Sequence, residues 1–228
     1  MTILCAVSYF ESEKGKAGFI LGNDTFVRIT SSGKTFDNPF QPGEKAIKGK
    51  NTLALFQGEN DFTIKEGFMD KEGKEYLAHA FDEISDEIDY SYLEAWKHIG
   101  EARLLIAKRD KIKIELYLLE HSSEKRHNRH DRAIRLEEIL NQTSLLLEES
   151  HIWYCPPNTK LLNIALENKL ALKDALQLVD ALTSNMPAIQ RFFTKNLRIP
   201  CPITEDYNPG NNVLYSLDFN GYKRIETN

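Results

Sequence analysis

The chain has 228 residues, 41% of them hydrophobic, which is long enough to bury a sizeable core, and we expect one domain over residues 1–228. Its formal net charge of −5 argues against a nucleic-acid partner, and no apolar run is long enough to predict a membrane span. Because the N-terminus also lacks the basic and apolar segments of a signal peptide, we expect a cytoplasmic protein.

The first sixty residues are predicted to form strands. Thr2–Phe10 and Lys16–Arg28 flank a charged segment that contains Gly15, a pattern that predicts a β-hairpin. Farther along, Glu44–Lys48 and Asn51–Phe56 predict a second pair of strands, again separated at a glycine.

The middle of the chain is predicted to be mixed. Between Lys74 and Lys108, apolar residues recur at helical spacing, which predicts two helices with a break at residues 85–90. Lys111–His121 alternates and predicts a strand, Asp131–Glu149 is compatible with a helix, and His151–Cys155 predicts a strand that ends at two prolines.

The last third is predicted to begin with helix and end with strands. Thr159–Asn185 has a strong helical pattern with a break at residues 169–172, and Pro187 marks the end of a helix or a kink. Asn212–Leu217 and Tyr222–Ile225 predict a final hairpin around an Asn-Gly turn.

The most informative residue for function is Thr2. If Met1 is removed, Thr2 carries a free α-amine and a hydroxyl on one residue, which is a known nucleophile and base pair. On position alone, the commoner explanation is an ordinary second residue after a start methionine. The sequence that follows Thr2 raises the odds of the catalytic interpretation.

Four segments resemble the proteasome β-subunit type of N-terminal-nucleophile (Ntn) hydrolase. Thr2–Val7 is similar to the first strand of that family, and Gly22–Thr25 is similar to the segment that carries its aspartate. Glu44–Ile47 and Leu53–Gly58 resemble its lysine strand and the glycine-ended partner of that strand. These matches lie in about the first quarter of the chain, and beyond it the similarity is only one of element order.

The resemblance implies an α+β fold, a four-layer αββα sandwich with two antiparallel sheets. It also implies a threonine peptidase or amidohydrolase that acts on a peptide or amide and assembles into a homo-oligomer, including a ring. Thr2 would be the nucleophile, Lys45 the cation beside it, Asp24 the carboxylate partner of Lys45, and Gly58 the source of an oxyanion-binding backbone N–H. An ammonium beside the hydroxyl favours loss of its proton, and a carboxylate keeps that ammonium charged. Taken singly, the lysine could be a solvated strand residue and the aspartate a turn residue.

The sequence departs from the family pattern in its supporting residues. The family has a Gly-Ser-Gly loop where this chain has Pro156–Thr159, and Phe192 and Lys195 stand where its later aspartate and serine are expected. Asp180 and Thr183 have the right spacing but lie earlier on the predicted helix. Two alternatives follow: a catalytically inactive Ntn-fold subunit that binds or assembles, and an unrelated α+β interaction protein.

No metal or cofactor is expected. The segment His121–His130 offers a His-x-x-His pair and a carboxylate, but its basic residues would repel a cation, so we favour a mobile surface loop over a metal site. The three cysteines, Cys5, Cys155 and Cys201, lack metal-ligand spacing and are expected to be reduced and mostly structural. No motif gives Cys155 a histidine partner, so a cysteine nucleophile is only weakly supported.

Overall fold

A computed structural model of the chain describes residues 2–11, 14–25, 28–31, 34–37, 45–60, 82, 99–121, 126–135, 149–156, 161–203, 207, 209 and 211–226. These residues form a mixed α and β structure that consists mostly of antiparallel strands. Among them, no helix is both long enough and apolar enough to span a bilayer.

The elements are numbered here in chain order. The strands are β1 (Leu4–Glu11), β2 (Lys16–Asp24), β3 (Arg28–Ser31), β4 (Lys34–Asp37), β5 (Ala46–Lys48), β6 (Thr52–Asn60), β7 (Ile99–Arg109), β8 (Lys113–His121), β9 (Arg126–Arg135), β10 (His151–Cys155), β11 (Leu162–Ala165), β12 (Asn212–Asp218) and β13 (Gly221–Ile225). The helices are α1 (Leu172–Ser184) and α2 (Met186–Arg191), and α2 continues into a π-helical turn, Phe192–Leu197.

The strands form two large sheets and one small hairpin. The first sheet has six strands in the order β11-β10-β1-β2-β12-β13, and the second has five in the order β5-β6-β7-β8-β9. Strands β3 and β4 pair only with each other among the described residues. Both hairpins predicted for the two ends of the chain are confirmed, although the N-terminal one ends at Asp24 and Arg28 begins a separate strand.

The two large sheets face each other across one hydrophobic core. Alternate residues of each strand point into it, including Leu4 and Trp153 from the first sheet and Leu55, Leu105 and Leu116 from the second. All five of these side chains are fully buried. Since about 25 cal/mol is gained per Å² of apolar surface removed from water, this shared core is what holds the two sheets together.

The helices cover the opposite face of the six-stranded sheet. Val179 and Leu182 of α1, with Ile189 of α2, pack against the other alternate residues of β1, such as Cys5. Gly22 allows this close approach, because a Cβ at that position would lie 2.4 Å from Cγ1 of Val179. The described chain therefore has three layers: helices, six-stranded sheet and five-stranded sheet.

The break between the two helices has a local cause. The Asn185 side-chain oxygen accepts a hydrogen bond from the Ala188 backbone N–H at 3.0 Å and so caps α2. Pro187 lies in the first turn of α2, where its missing N–H costs no helical hydrogen bond. The prediction that Pro187 marks the end of a helix or a kink is confirmed as a helix boundary.

Three helix predictions were wrong where the structure describes them. Residues 99–108 belong to strand β7, residues 131–135 belong to β9, and Leu162–Ala165 is the edge strand β11. In β7, the run Leu104–Ala107 is buried on both faces, and periodicity cannot separate such a strand from a buried helix. Apart from Asp82, residues 74–98 lie outside the described residues, as do residues 136–148.

Candidate active site

The ends of two neighbouring strands bring Thr2 close to Asp24. In the β1–β2 pair, Leu4 lies opposite Asn23, so the residues before β1 run alongside the end of β2. The Asp24 backbone N–H donates to the Ile3 carbonyl oxygen at 3.4 Å, which extends this pairing past the strand. The register of one hairpin thus sets the distance between Thr2 and Asp24.

Lys45 reaches the same point from the second sheet. It directly precedes β5, and its carbonyl oxygen accepts a hydrogen bond from the Phe56 backbone N–H at 3.0 Å. Its Nζ atom lies 2.8 Å from Thr2 Oγ1 and 2.8 Å from Asp24 Oδ1. One ammonium therefore bridges the hydroxyl and the carboxylate across the two sheets.

These three groups are shielded from water. Thr2 is 7% exposed, Asp24 is fully buried, and the side chain of Lys45 is 9% exposed. Charged groups this deep are stable only when they are paired and hydrogen-bonded. Their mutual contacts meet that condition, so the side chains are held as a unit rather than singly solvated.

The Asp24 carboxylate lies between two donors. One oxygen accepts from Lys45 Nζ, and the other accepts from the backbone N–H of Ile3. The neighbouring Asn23 side chain donates to the Asp24 carbonyl oxygen at 2.7 Å. A carboxylate suits this place because it is purely an acceptor, whereas an amide would turn a donor toward one of the two groups.

Burial lowers the pKa of Lys45, and the charge of Asp24 and its hydrogen bond to Lys45 oppose that change. Desolvation is the larger effect, because removing the ammonium from water disfavours its charged form. The Asp24 carboxylate therefore opposes loss of the proton from Lys45 beside the Thr2 hydroxyl.

Sequence reasoning missed Gln57 and the role of Cys155. Gln57 Nε2 donates to the Thr2 carbonyl oxygen at 2.5 Å and approaches the Pro156 carbonyl oxygen at 3.5 Å. Its Oε1 atom accepts from the Cys155 thiol at 2.8 Å. A signal existed in the sequence, since Gln57 is a polar residue in the otherwise apolar strand run Leu53–Gly58, and it is only 6% exposed.

Gly58, the predicted source of the oxyanion-binding N–H, directly follows Gln57 in β6. It lies opposite Ala102 of β7, and the register of the two strands shifts between Gly58 and Asn60. Irregularities of this kind occur often beside functional sites, where they redirect backbone groups. The structure places Gly58 next to the residue that contacts Thr2.

Asp180 and Thr183 contact a strand neighbour of the site. The Asn212 side-chain Nδ2 donates to Asp180 Oδ1 at 2.9 Å and to Thr183 Oγ1 at 2.8 Å. Asn212 lies opposite Asp24 in the β2–β12 pair. These contacts connect α1 to the strand beside Asp24.

Phe192 is buried in the core between helices and sheet, and residues 157–160 lie outside the described residues.

The other candidate sites were the segment His121–His130 and the three cysteines. Where the structure describes them, no three histidine, cysteine, aspartate or glutamate side chains are grouped to hold a metal ion. His121 ends β8, and His127 and His130 lie within β9, so the predicted surface loop is a strand at these positions. Cys5 and Cys155 are buried, and the described cysteines form no disulfide.

No protein-family model and no curated protein matches this chain. The functional interpretation therefore depends on the sequence motifs and on the geometry around Thr2.

Proposed function

We propose that this protein is a threonine-type peptidase or amidohydrolase whose nucleophile is Thr2 after removal of Met1. The observation that carries the proposal is the position of Lys45 Nζ, 2.8 Å from Thr2 Oγ1 and 2.8 Å from Asp24 Oδ1. A solvated strand lysine would not be buried between a hydroxyl and a carboxylate from the other sheet.

The proposed reaction begins when the α-amine of Thr2 accepts the proton of the hydroxyl. The Thr2 oxygen attacks the substrate carbonyl carbon, and the Lys45 ammonium stabilises the negative charge that develops on the attacking oxygen. A backbone N–H at Gly58 stabilises the oxyanion. The leaving amine takes the proton from the α-ammonium, and an ester remains on Thr2. Water then attacks this ester, which releases the acid and restores the hydroxyl.

The proposal includes the complete αββα sandwich of the Ntn type. Its support is a row of apolar side chains on the outer face of the five-stranded sheet. Ile47 lies opposite Ala54, Ala54 opposite Ile106, and Ile106 opposite Tyr117, and these four residues are 0–5% exposed. They point away from the core between the sheets, as their neighbours in sequence point into it. A fourth layer would account for their burial.

The alternative is a catalytically inactive subunit of the same fold that binds or assembles. The observation in its favour is that Pro156 stands where the resembled family has its Gly-Ser-Gly loop, while Asp180 and Thr183 bind Asn212. With either function, the resemblance leads us to propose that the protein is cytoplasmic and forms a homo-oligomer, for which a ring is one candidate arrangement.

The experiment uses the full chain and a set of epoxyketones with apolar, basic or acidic side chains. The ketone carbon of such a reagent bonds to a hydroxyl oxygen, and an epoxide carbon bonds to an adjacent amine. Intact mass should show loss of Met1 and a gain of one reagent molecule. Thr2→Ala should lose Met1 but gain no adduct.

Thr194→Ala is a matched control, because Thr194 is an exposed threonine whose hydroxyl donates to the carbonyl oxygen of Gln190, four residues earlier, at 2.8 Å. It should gain the adduct at the wild-type rate. Retention of Met1, or a trimmed chain that no reagent modifies, would reject the enzyme and favour the inactive subunit.

A further inference from the structure

The peptide group between Thr2 and Ile3 is held at both of its polar atoms. Its carbonyl oxygen accepts from Gln57 Nε2 at 2.5 Å, and its N–H donates to the Asp24 carboxylate. Residues at a chain terminus are poorly ordered unless they are tied down. A nucleophile that becomes the first residue needs such restraints, because only its carbonyl side remains attached to the chain.

The Gln57 amide has a defined orientation. Its nitrogen faces the carbonyl oxygens of Thr2 and Pro156, and its oxygen faces the Cys155 thiol. A flipped amide would place its oxygen against the two carbonyl oxygens, which can only accept. These carbonyl oxygens select the orientation in which Gln57 donates to Thr2, and the Cys155 thiol, by donating to Oε1, stabilises the same orientation.

Gln57 also connects the nucleophile to its lysine. Phe56, its neighbour in β6, donates its backbone N–H to the Lys45 carbonyl oxygen at 3.0 Å. Two consecutive residues of the second sheet thus hold the main chains of Lys45 and Thr2. Cys155 lies opposite Leu4 in the β1–β10 pair, so the same contact reaches the end of a third strand.

We propose that Gln57 is a positioning residue for Thr2, with Cys155 as a group that stabilises its orientation; this inference rests on the proposed function. Gln57 fixes the Thr2 main chain, and Lys45 fixes the hydroxyl, so the 2.8 Å contact between Lys45 Nζ and Thr2 Oγ1 is maintained when the residue has become the chain terminus. Neither Gln57 nor Cys155 takes part in a proton transfer or a covalent step.

The test compares Gln57→Leu, which keeps the side-chain volume, with the wild type in the epoxyketone reaction. The maximal rate of adduct formation should fall roughly 10- to 100-fold, because a misplaced nucleophile costs about that much. The reagent concentration for half-maximal rate and the pH midpoint should stay the same. A merely structural defect would lower the fraction of protein that reacts and leave the rate of the rest unchanged.

Tyr222→Phe is the matched control. The Tyr222 hydroxyl donates to the Gly49 carbonyl oxygen at 3.1 Å and also joins the two sheets, but away from Thr2. This variant should react at the wild-type rate. If it slows as much as Gln57→Leu, or if Gln57→Leu reacts at the wild-type rate, the positioning role is rejected.

A second pair of variants covers the case in which Gln57→Leu does not fold. Cys155→Ala removes the donor that stabilises the amide orientation and should slow adduct formation by about 3- to 10-fold, the effect of one hydrogen bond. Cys155→Ser keeps a donor and should restore most of the rate. Equal rates for the two variants would contradict the role given to Cys155.

A readout without chemistry separates this inference from the proposed function. In a ¹⁵N-relaxation experiment, the order parameter of the Ile3 N–H should fall from about 0.85 toward 0.6 in the Gln57 or Cys155→Ala variant. If the wild type forms no adduct but this change occurs, the proposed function fails and the restraint stands. If adducts form and neither readout responds, only the restraint fails.

Discussion

The buried pair of Asp24 and Lys45 makes a sharp prediction for Asp24→Asn. Two groups that contact the carboxylate, the Ile3 N–H and the Lys45 ammonium, are donors. Asparagine offers one acceptor oxygen and one donor nitrogen, so one of the two contacts becomes unfavourable. The substitution also removes the negative charge beside Lys45.

The size of the effect follows from distance and burial. Opposite unit charges 2.8 Å apart attract by about 6 kcal/mol at an effective dielectric constant of about 20. The asparagine dipole and solvent relaxation recover part of this loss. Removing one partner of a buried pair typically costs about 3–5 kcal/mol, and we expect Asp24→Asn to lower the free energy of unfolding by that amount at pH 7.

The cost should shrink as the pH rises. Burial lowers the pKa of Lys45 in the folded state, and loss of Asp24 lowers it further. Between that value and the ordinary lysine value, the unfolded chain binds more protons than the folded chain. The free energy of unfolding then increases with pH in this window, because folded Lys45 becomes neutral before unfolded Lys45 does.

The assay is urea unfolding of the wild type, Asp24→Asn, Lys45→Met and the double variant, at pH 7 and near pH 10. The double-mutant cycle isolates the pair, and Lys45→Met should abolish the extra pH dependence of Asp24→Asn. A coupling energy below about 0.5 kcal/mol, or a cost of Asp24→Asn that is the same at both pH values, would refute a buried charged pair.

Two further substitutions test the support around the site. Gly22→Ala places a methyl group 2.4 Å from Cγ1 of Val179. The free energy of unfolding measured in urea should therefore fall by about 1–3 kcal/mol. An unchanged value would contradict the close packing of α1 on β2. Asn212→Ala removes the donor to Asp180 and Thr183. It should reduce the free energy of unfolding by about 1–3 kcal/mol and so lower the melting temperature. A melting temperature equal to that of the wild type would show that this connection adds no stability.

Much of the candidate site could be read from local sequence. Alternating apolar residues and the turn at Gly15 specify the N-terminal hairpin, and once that hairpin forms, Thr2 and Asp24 lie at the same end. The resemblance to Ntn hydrolases selected Lys45, and the structure brings it to both of these residues. Their catalytic roles remain predictions that the adduct experiment addresses.

The errors have a common physical origin. In strand β7, the consecutive apolar residues Leu104–Ala107 are buried on both faces of the sheet. A run that is apolar at every position has no period that would distinguish a strand from a helix. The same limit applies to Leu162–Ala165, which pairs with β10 and so becomes an edge strand despite its helical pattern. In both cases, pairing with a distant strand overrides local propensity.

The sequence by itself determined the terminal hairpins and the lysine strand, because each depends on local alternation or a turn. Through its short motifs, which resemble those of Ntn hydrolases, it also selected Asp24 and Lys45, the two residues that lie beside the proposed nucleophile. Only the tertiary structure decided that Gln57 and Cys155 meet at Thr2. They are separated by 98 positions and come from different sheets. Their contact exists because the two sheets bury a common core. Hydrophobic burial is non-directional, so the sequence pattern that predicts the core does not predict which polar side chains meet at the edge of that core.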